Sequence, residues 1–129
     1  MVTVNLSIDV PSLESGVEFY TNVFGFSEGS RPFEEMAVLH AGNLTICVHQ
    51  KPAGSKPSSQ TDELRRYSRH WTPVHADFHV DKFDDALTAA EENGATVEQL
   101  FRTPGRKAMA FCSDPFGNGF CLIEKKASS

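Results

Sequence analysis

The chain has 129 residues, 40% of them apolar and ten of them phenylalanine, which suits one domain, residues 1–129, able to bury about two-thirds of its unfolded surface. A formal net charge of −5 with no concentrated basic surface excludes nucleic acid as the main partner, since phosphate binding needs a positive field. No apolar run approaches the ~20 residues of a membrane span, and the amino terminus has neither a basic leader nor a signal-type apolar core, so no membrane partner is expected and cytoplasmic residence is.

The first element is a strand, because Asn5 to Val10 alternates strictly between polar and apolar residues. The period then changes to that of a helix: Leu13, Val17, Tyr20 and Phe24 make one stripe, with Ser12 as N-cap and Gly25 just past the end. Three strand-like runs follow, roughly Phe26 to Ser30, Glu35 to His40 and Leu44 to His49, the last two joined through Ala41-Gly42-Asn43. Residues 51–73 form a linker whose first ten positions are rich in Pro, Ser, Gly and Lys, a composition of flexibility and reach. Within it, Arg65, Arg66 and Arg69 beside Tyr67 and Trp71 are expected on a short surface helix begun at Thr61, with the aromatic rings packed inward.

Beyond the linker the pattern returns. Asn5 laid over His75 matches Leu6/Ala76, Ile8/Phe78, Val10/Val80, Leu13/Phe83 and Val17/Leu87. The second helix carries Phe83, Leu87 and Ala90 and closes at Gly94, and three more strands fall at about Thr96 to Phe101, Lys107 to Cys112 and Phe120 to Glu124. The last two are joined by Asp114-Pro115-Phe116-Gly117-Asn118, a turn longer than two residues. Arg102, Arg106 and Lys107 flank Thr103-Pro104-Gly105 and read as a solvated hairpin tip. The fold class is therefore α+β: two βαβββ repeats, 1–50 and 74–126, each too small to bury its own apolar face, whose mixed sheets are expected to curl around a shared cavity with the helices outside.

Side-chain alternation assigns the faces. Val4, Leu6, Ile8 and Val10 turn to the first helix, leaving Asn5, Ser7 and Asp9 on the uncovered face; Ala76, Phe78 and Val80 turn to the second, leaving His75, Asp77 and His79. His-x-Asp-x-His sets its members about 7 Å apart along the strand. On the closing strands Thr45, Cys47 and His49, and then Cys121 and Ile123, join the uncovered side. A concave, partly polar space is a ligand site by default, so Asn5, Ser7, Asp9, His49, His75, Asp77 and His79 are candidate ligand-binding residues. Two cysteines and a histidine converging from three strands, His75, Cys121 and Cys47, would make an acceptable zinc set. Three cysteines without short spacing form no disulfide framework and agree with a reducing compartment.

The βαβββ duplication, the DPFGN turn and the VEFYTNVFGF helix end together resemble the vicinal oxygen chelate superfamily, which contains glyoxalase I, extradiol ring-cleaving dioxygenases, fosfomycin-resistance transferases and bleomycin-resistance proteins. The resemblance implies four metal ligands, usually His, Glu or Gln, on the first and last strand of each repeat. Carried over by position, these points fall on Asn5, on Cys47 or a neighbour, on His75 and on Cys121. Gly42-Asn43 laid over Gly117-Asn118 selects Ile46 for the second point, whereas face alternation selects Cys47 or His49. Only His75 matches the usual chemistry, and the glutamate that ends the familiar pattern is absent. The resemblance also implies a homodimer.

Two functions follow. One is a protein that holds a small organic molecule without the standard metal site, as bleomycin-resistance members do, with Asp9, Asp77 and the acidity favouring a cationic or hydrogen-bond-rich guest. The other is an enzyme with a divalent metal, zinc or another transition metal, acting as a lyase, isomerase, dioxygenase or thiol transferase on a substrate chelated through vicinal oxygens.

Overall fold

The alternation that starts at Asn5 has the outcome its period requires. In a computed structural model of the chain, which describes residues 1–127, Asn5–Val10 is a strand, β1, with Ile8 and Val10 buried. Helix α1 spans Leu13–Phe24, followed by β2 (Ser27–Glu28), β3 (Met36–Ala41) and β4 (Leu44–Gln50). Then come β5 (Ala76–Val80), α2 (Phe83–Glu92), β6 (Thr96–Phe101), β7 (Met109–Ser113) and β8 (Gly119–Glu124). Met1–Ser68 make one unit, and a second begins at Arg69. Each unit carries a four-stranded mixed sheet, ordered β1-β4-β3-β2 in the first and β5-β8-β7-β6 in the second. The pairs β1–β4 and β5–β8 are parallel and the others antiparallel, so βαβββ is realised twice.

In the first unit α1 begins where Ser12, in extended conformation, accepts a hydrogen bond from the Ser15 amide, and ends at Gly25, whose φ of 70° is left-handed and whose N–H reaches the Thr21 carbonyl. Leu13, Val17 and Tyr20 are buried as the stripe requires, and Phe24 is half-buried. The helix lies close to its sheet because position 16 has no side chain. A Cβ there would stand 2.9 Å from both Val10 Cγ1 and Val48 Cγ1. Val4, expected on the helix face, precedes β1 and is exposed. The run expected from Phe26 to Ser30 shrinks to two residues of strand, although Gly29 N–H still reaches Val38 O and Val38 N–H reaches Ser30 O.

The linker helix expected from Thr61 is absent, and tertiary pairing explains why. Arg65 exchanges backbone hydrogen bonds with the loop before it, Gly54 N–H to Arg65 O and Arg65 N–H to Ser55 O, both at 2.8 Å. Its guanidinium reaches Asp9 Oδ2 at 2.9 Å and Lys56 O at 3.0 Å. These bonds hold residues 54–65 as a returning loop, which local helix propensity, worth less than about 1 kcal/mol per residue, does not overcome. Tyr67 is half-buried and donates to Lys51 O at 2.6 Å. Trp71, expected to pack inward, is 79% exposed.

In the second unit Phe83 and Ala90 are buried under α2, Leu87 is half-buried, and Gly94 takes a φ of 97° beyond the helix end. The Asp-Pro-Phe-Gly-Asn turn is organised by one carboxylate. Asp114, 4% exposed, accepts from the amides of Phe116 and Asn118, each at 2.9 Å, and from Asn118 Nδ2 at 3.0 Å, while Gly117 supplies a φ of 88°. Those bonds feed the chain into β8 in one register, so the turn fixes which β8 residues face the helix. Leu122, opposite Phe78, is fully buried on that side. Glu124 pairs with Val80 on the same side and accepts from the Ala108 amide.

Candidate functional site

Register decides which of the candidate side chains are neighbours. In the first unit Ser7, Cys47 and Val38 form one cross-strand row, and Asp9, His49 and Met36 the next; Asn5 is opposite Thr45. Cys47 therefore lies on the uncovered face, as alternation requires, while Ile46 is buried on the helix side. Asp9 is engaged by Arg65, a guanidinium only 17% exposed. That carboxylate is accordingly part of the fastening of the loop.

In the second unit Asp77, Cys121 and Phe111 form one row, and His79, Ile123 and Met109 the next. His75 immediately precedes β5. Its Nε2 is 3.1 Å from Asp77 Oδ1, and the ligand atoms of His75, Asp77 and Cys121 all lie within 4.8 Å of one another. His79 is outside this cluster and shares its row with Ile123 and Met109. Of the expected metal set, His75 and Cys121 thus come together with Asp77, whereas Cys47 stands in the first unit beside Ser7. The three cysteines are buried and unpaired.

Cys121 is only 7% exposed. Burial, the Asp77 charge and a hydrogen bond with Asp77 push its thiol up to about 11. Cys112 is pushed up to about 12 by burial and by the negative charge of Cys121, Glu98 and Glu91. Both are therefore thiols at neutral pH, weak as nucleophiles and as metal ligands unless a cation displaces the proton.

Against this row lies a cavity of about 280 Å³, lined by Arg69, Trp71 and Thr72 from the segment before β5, by His75, by Glu98 from β6, by Phe111 and Cys112 from β7, and by Gly119, Phe120 and Cys121 from β8. Its floor is built by a register fault. Val97 pairs with Cys112 and Gln99 with Phe111, so Glu98 is the extra residue of a bulge, freed from the ladder. Its carboxylate takes Arg69 in a fork, Nε at 2.8 Å and Nη2 at 3.2 Å, while Nη1 donates to His70 O at 2.7 Å. Glu98 holds the Arg69 guanidinium more firmly in its charged form. The guanidinium rests on Gly119, where a Cβ would come within 2.8 Å of both terminal nitrogens. Arg102, by contrast, is occupied on the helix, pairing with Asp84 and lying 5.4 Å from the Phe83 ring centroid.

Arg69, Trp71, Thr72, Glu98 and Phe111 are site residues that sequence reasoning missed. For Arg69 and Trp71 the signal is a basic and aromatic cluster, whose local pattern suggests a surface helix with its rings turned inward. Phe111 follows from alternation once β7 is paired with β8. Glu98 had no signal, because a bulge is invisible without its partner strand.

The glyoxalase-like domain model matches residues 5–123, and the chain belongs to that family, within the vicinal oxygen chelate superfamily. No curated protein sequence matches it. Among solved structures it is similar to lactoylglutathione lyase from Agrobacterium tumefaciens, at 18% identity over 96% of this chain and 93% of that one, with a TM-score of 0.65. A glyoxalase/bleomycin resistance protein/dioxygenase family enzyme from Burkholderia phytofirmans PsJN gives 20% identity, coverage of 93% and 95%, and a TM-score of 0.70. A mutant of the fosfomycin resistance protein FosX from Listeria monocytogenes, complexed with Mn(II) and 1S,2S-dihydroxypropylphosphonic acid, gives 17% identity, coverage of 95% and 90%, and 0.70. At such identities the likeness is one of fold, and one fold hosts many chemistries. Among the described residues, no helix is long and apolar enough to cross a membrane.

Proposed function

We propose that the protein binds a small organic molecule in the cavity of its second unit, without the standard metal site of its superfamily. The observation that carries this reading is the cavity itself: about 280 Å³, with the aromatic side chains of Trp71 and Phe111 beside the polar groups of Arg69, Glu98 and His75, the mixture by which ligand sites combine burial with orientation. Cys121 occupies the last-strand position where the resemblance implies glutamate, and its thiol keeps its proton to about pH 11. Trp71 is the only tryptophan in the chain, so its emission reports directly on occupancy. Titration with aromatic amines and cationic glycopeptides, followed by Trp71 fluorescence and by calorimetry, is expected to give saturable changes. Uniform absence of both signals removes the reading.

A second reading is favoured by the donor cluster. His75, Asp77 and Cys121 offer nitrogen, oxygen and sulfur within 4.8 Å, a combination zinc accepts. A divalent metal held there would supply a Lewis acid for a substrate chelated through vicinal oxygens, and the protein would be a lyase, isomerase, dioxygenase or thiol transferase. Elemental analysis of untagged protein after reconstitution discriminates: less than about one-tenth equivalent of any transition metal counts against it. Both readings place the protein in a reducing cytoplasm, in keeping with its unpaired cysteines. Both also take it as a homodimer, in keeping with the exposure of Leu100 and Phe101 on the edge strand β6; light scattering tests that state.

A further inference from the structure

The cavity of the second unit is aromatic and electrically lopsided. Trp71 is largely exposed although it lines a concavity, and Phe111, on the uncovered side of β7, is 38% exposed with its ring propped edge-on against Phe101 at 5.1 Å. Rings left bare around a hollow present quadrupoles whose faces attract cations. The one guanidinium at the site is already answered by the two oxygens of Glu98 and by His70 O. Asp77 is a neighbour of two lining residues, 3.1 Å from His75 Nε2 and opposite Cys121 in the sheet, and adds a second carboxylate beside the cavity.

We infer that this cavity recognises an organic cation carried on an aromatic body, received against Trp71 and Phe111 with its charge directed to Glu98 and Asp77. The inference rests on the binding reading above and adds the ligand's class. Arg69 is a positioning residue: its fork to Glu98 and its seat on Gly119 tie the segment that carries Trp71 to β6 and β8. An anionic guest would meet a guanidinium and a Glu98 carboxylate that answer each other, and the Asp77 carboxylate in addition.

The test titrates the full-length protein with benzyltrimethylammonium, benzyl alcohol and phenylacetate, each followed by Trp71 emission. The cation should bind about tenfold more tightly than the neutral alcohol, and phenylacetate more weakly than either. The preference should shrink several-fold in high salt. The ratio of cation to benzyl alcohol affinity, taken within each variant that keeps its far-ultraviolet dichroism, should fall to near parity in Asp77→Asn and, independently, in Glu98→Gln. Benzyl alcohol or phenylacetate binding as tightly as the cation overturns the inference and leaves the binding reading standing. A preference that survives unchanged in a folded variant of either carboxylate also overturns it. If benzyltrimethylammonium leaves Trp71 emission unmoved while benzyl alcohol or phenylacetate shifts it, only the ligand class falls; if none of the three probes nor the amines and glycopeptides gives a signal, both readings fall.

Discussion

Replacing Gly119 with alanine should disable the cavity floor while leaving the fold nearly untouched. Gly119 opens β8 and is not among the residues with positive φ, so alanine fits its backbone and gains about 0.5–1 kcal/mol relative to glycine in a strand. The new Cβ would come within 2.8 Å of Arg69 Nη1 and Nη2, and the guanidinium, at the end of a flexible side chain, must withdraw. What is lost is the fork to Glu98, whose side chains are 34% and 32% exposed; a pair that open to water is worth about 0.2–1 kcal/mol. The two effects nearly cancel, and the unfolding free energy should move by less than about 1 kcal/mol, or roughly 4 °C in Tm. Urea unfolding read by far-ultraviolet dichroism measures this, and a double-mutant cycle with Glu98→Gln measures the pair. Glu98→Gln should be costly in the parent and free of cost alongside Gly119→Ala, with a shift in Trp71 emission in each. Equal cost of Glu98→Gln in both backgrounds would refute the displacement of Arg69. A loss above about 2 kcal/mol in Gly119→Ala alone would refute the claim that the glycine serves the site rather than the strand.

Other substitutions separate stability from site. Gly16→Ala gains helix propensity of about 1 kcal/mol but forces a methyl to within 2.9 Å of Val10 and Val48, both fully buried; overpacking costs about 1–3 kcal/mol, so chemical denaturation should show net loss. Asp114→Ala strands the three donors now bonded to its carboxylate and should lose about 2–3 kcal/mol, with Asp114→Asn recovering part. Because the folded state raises the Cys121 thiol from 9.0 to about 11, the unfolded chain gives up that proton first; the contribution is complete below about pH 9 and is lost as pH rises through 11. Urea midpoints measured from pH 8 to 11 should fall less steeply in Cys121→Ala, and iodoacetamide should alkylate Cys121 slowly at pH 8.

Much of the fold is visible in local pattern because it depends on local physics. The alternation of β1 and β5, the Ser12 and Gly25 caps of α1 and the Asp114 turn each need only their own neighbours, and each is where the period and the turn chemistry put it. The row of Asp77 with Cys121 followed from face assignment, since parallel pairing puts like-facing residues side by side. What was hidden is what depends on distant chain. Arg65 abandons a local helix for Asp9, 56 positions earlier in the chain. Glu98 enters the site only because β6 carries one residue more than β7 at that point. No property of the Thr96–Phe101 run by itself distinguishes a bulge from a regular strand.

The two units share a frame, and a few of the side chains in which they differ account for where chemistry can reside. Asn5, Ser7, Cys47 and Val38 in the first occupy the register positions of His75, Asp77, Cys121 and Phe111 in the second. Both frames place a buried cysteine on the uncovered side of the closing strand. In the first unit its cross-strand neighbour is an uncharged serine, and the one acidic group on β1 is committed to fastening the loop through Arg65. In the second unit the neighbour is Asp77, which raises the thiol and fixes the His75 imidazole. The chain before β5, fastened in its turn through Arg69 and Glu98, supplies Arg69 and Trp71 to the cavity. Duplication thus leaves one copy free to build a recognition surface while the other spends its corresponding charge on holding the fold, and the residues that mark the difference are the pairs Ser7/Asp77 and Asn5/His75.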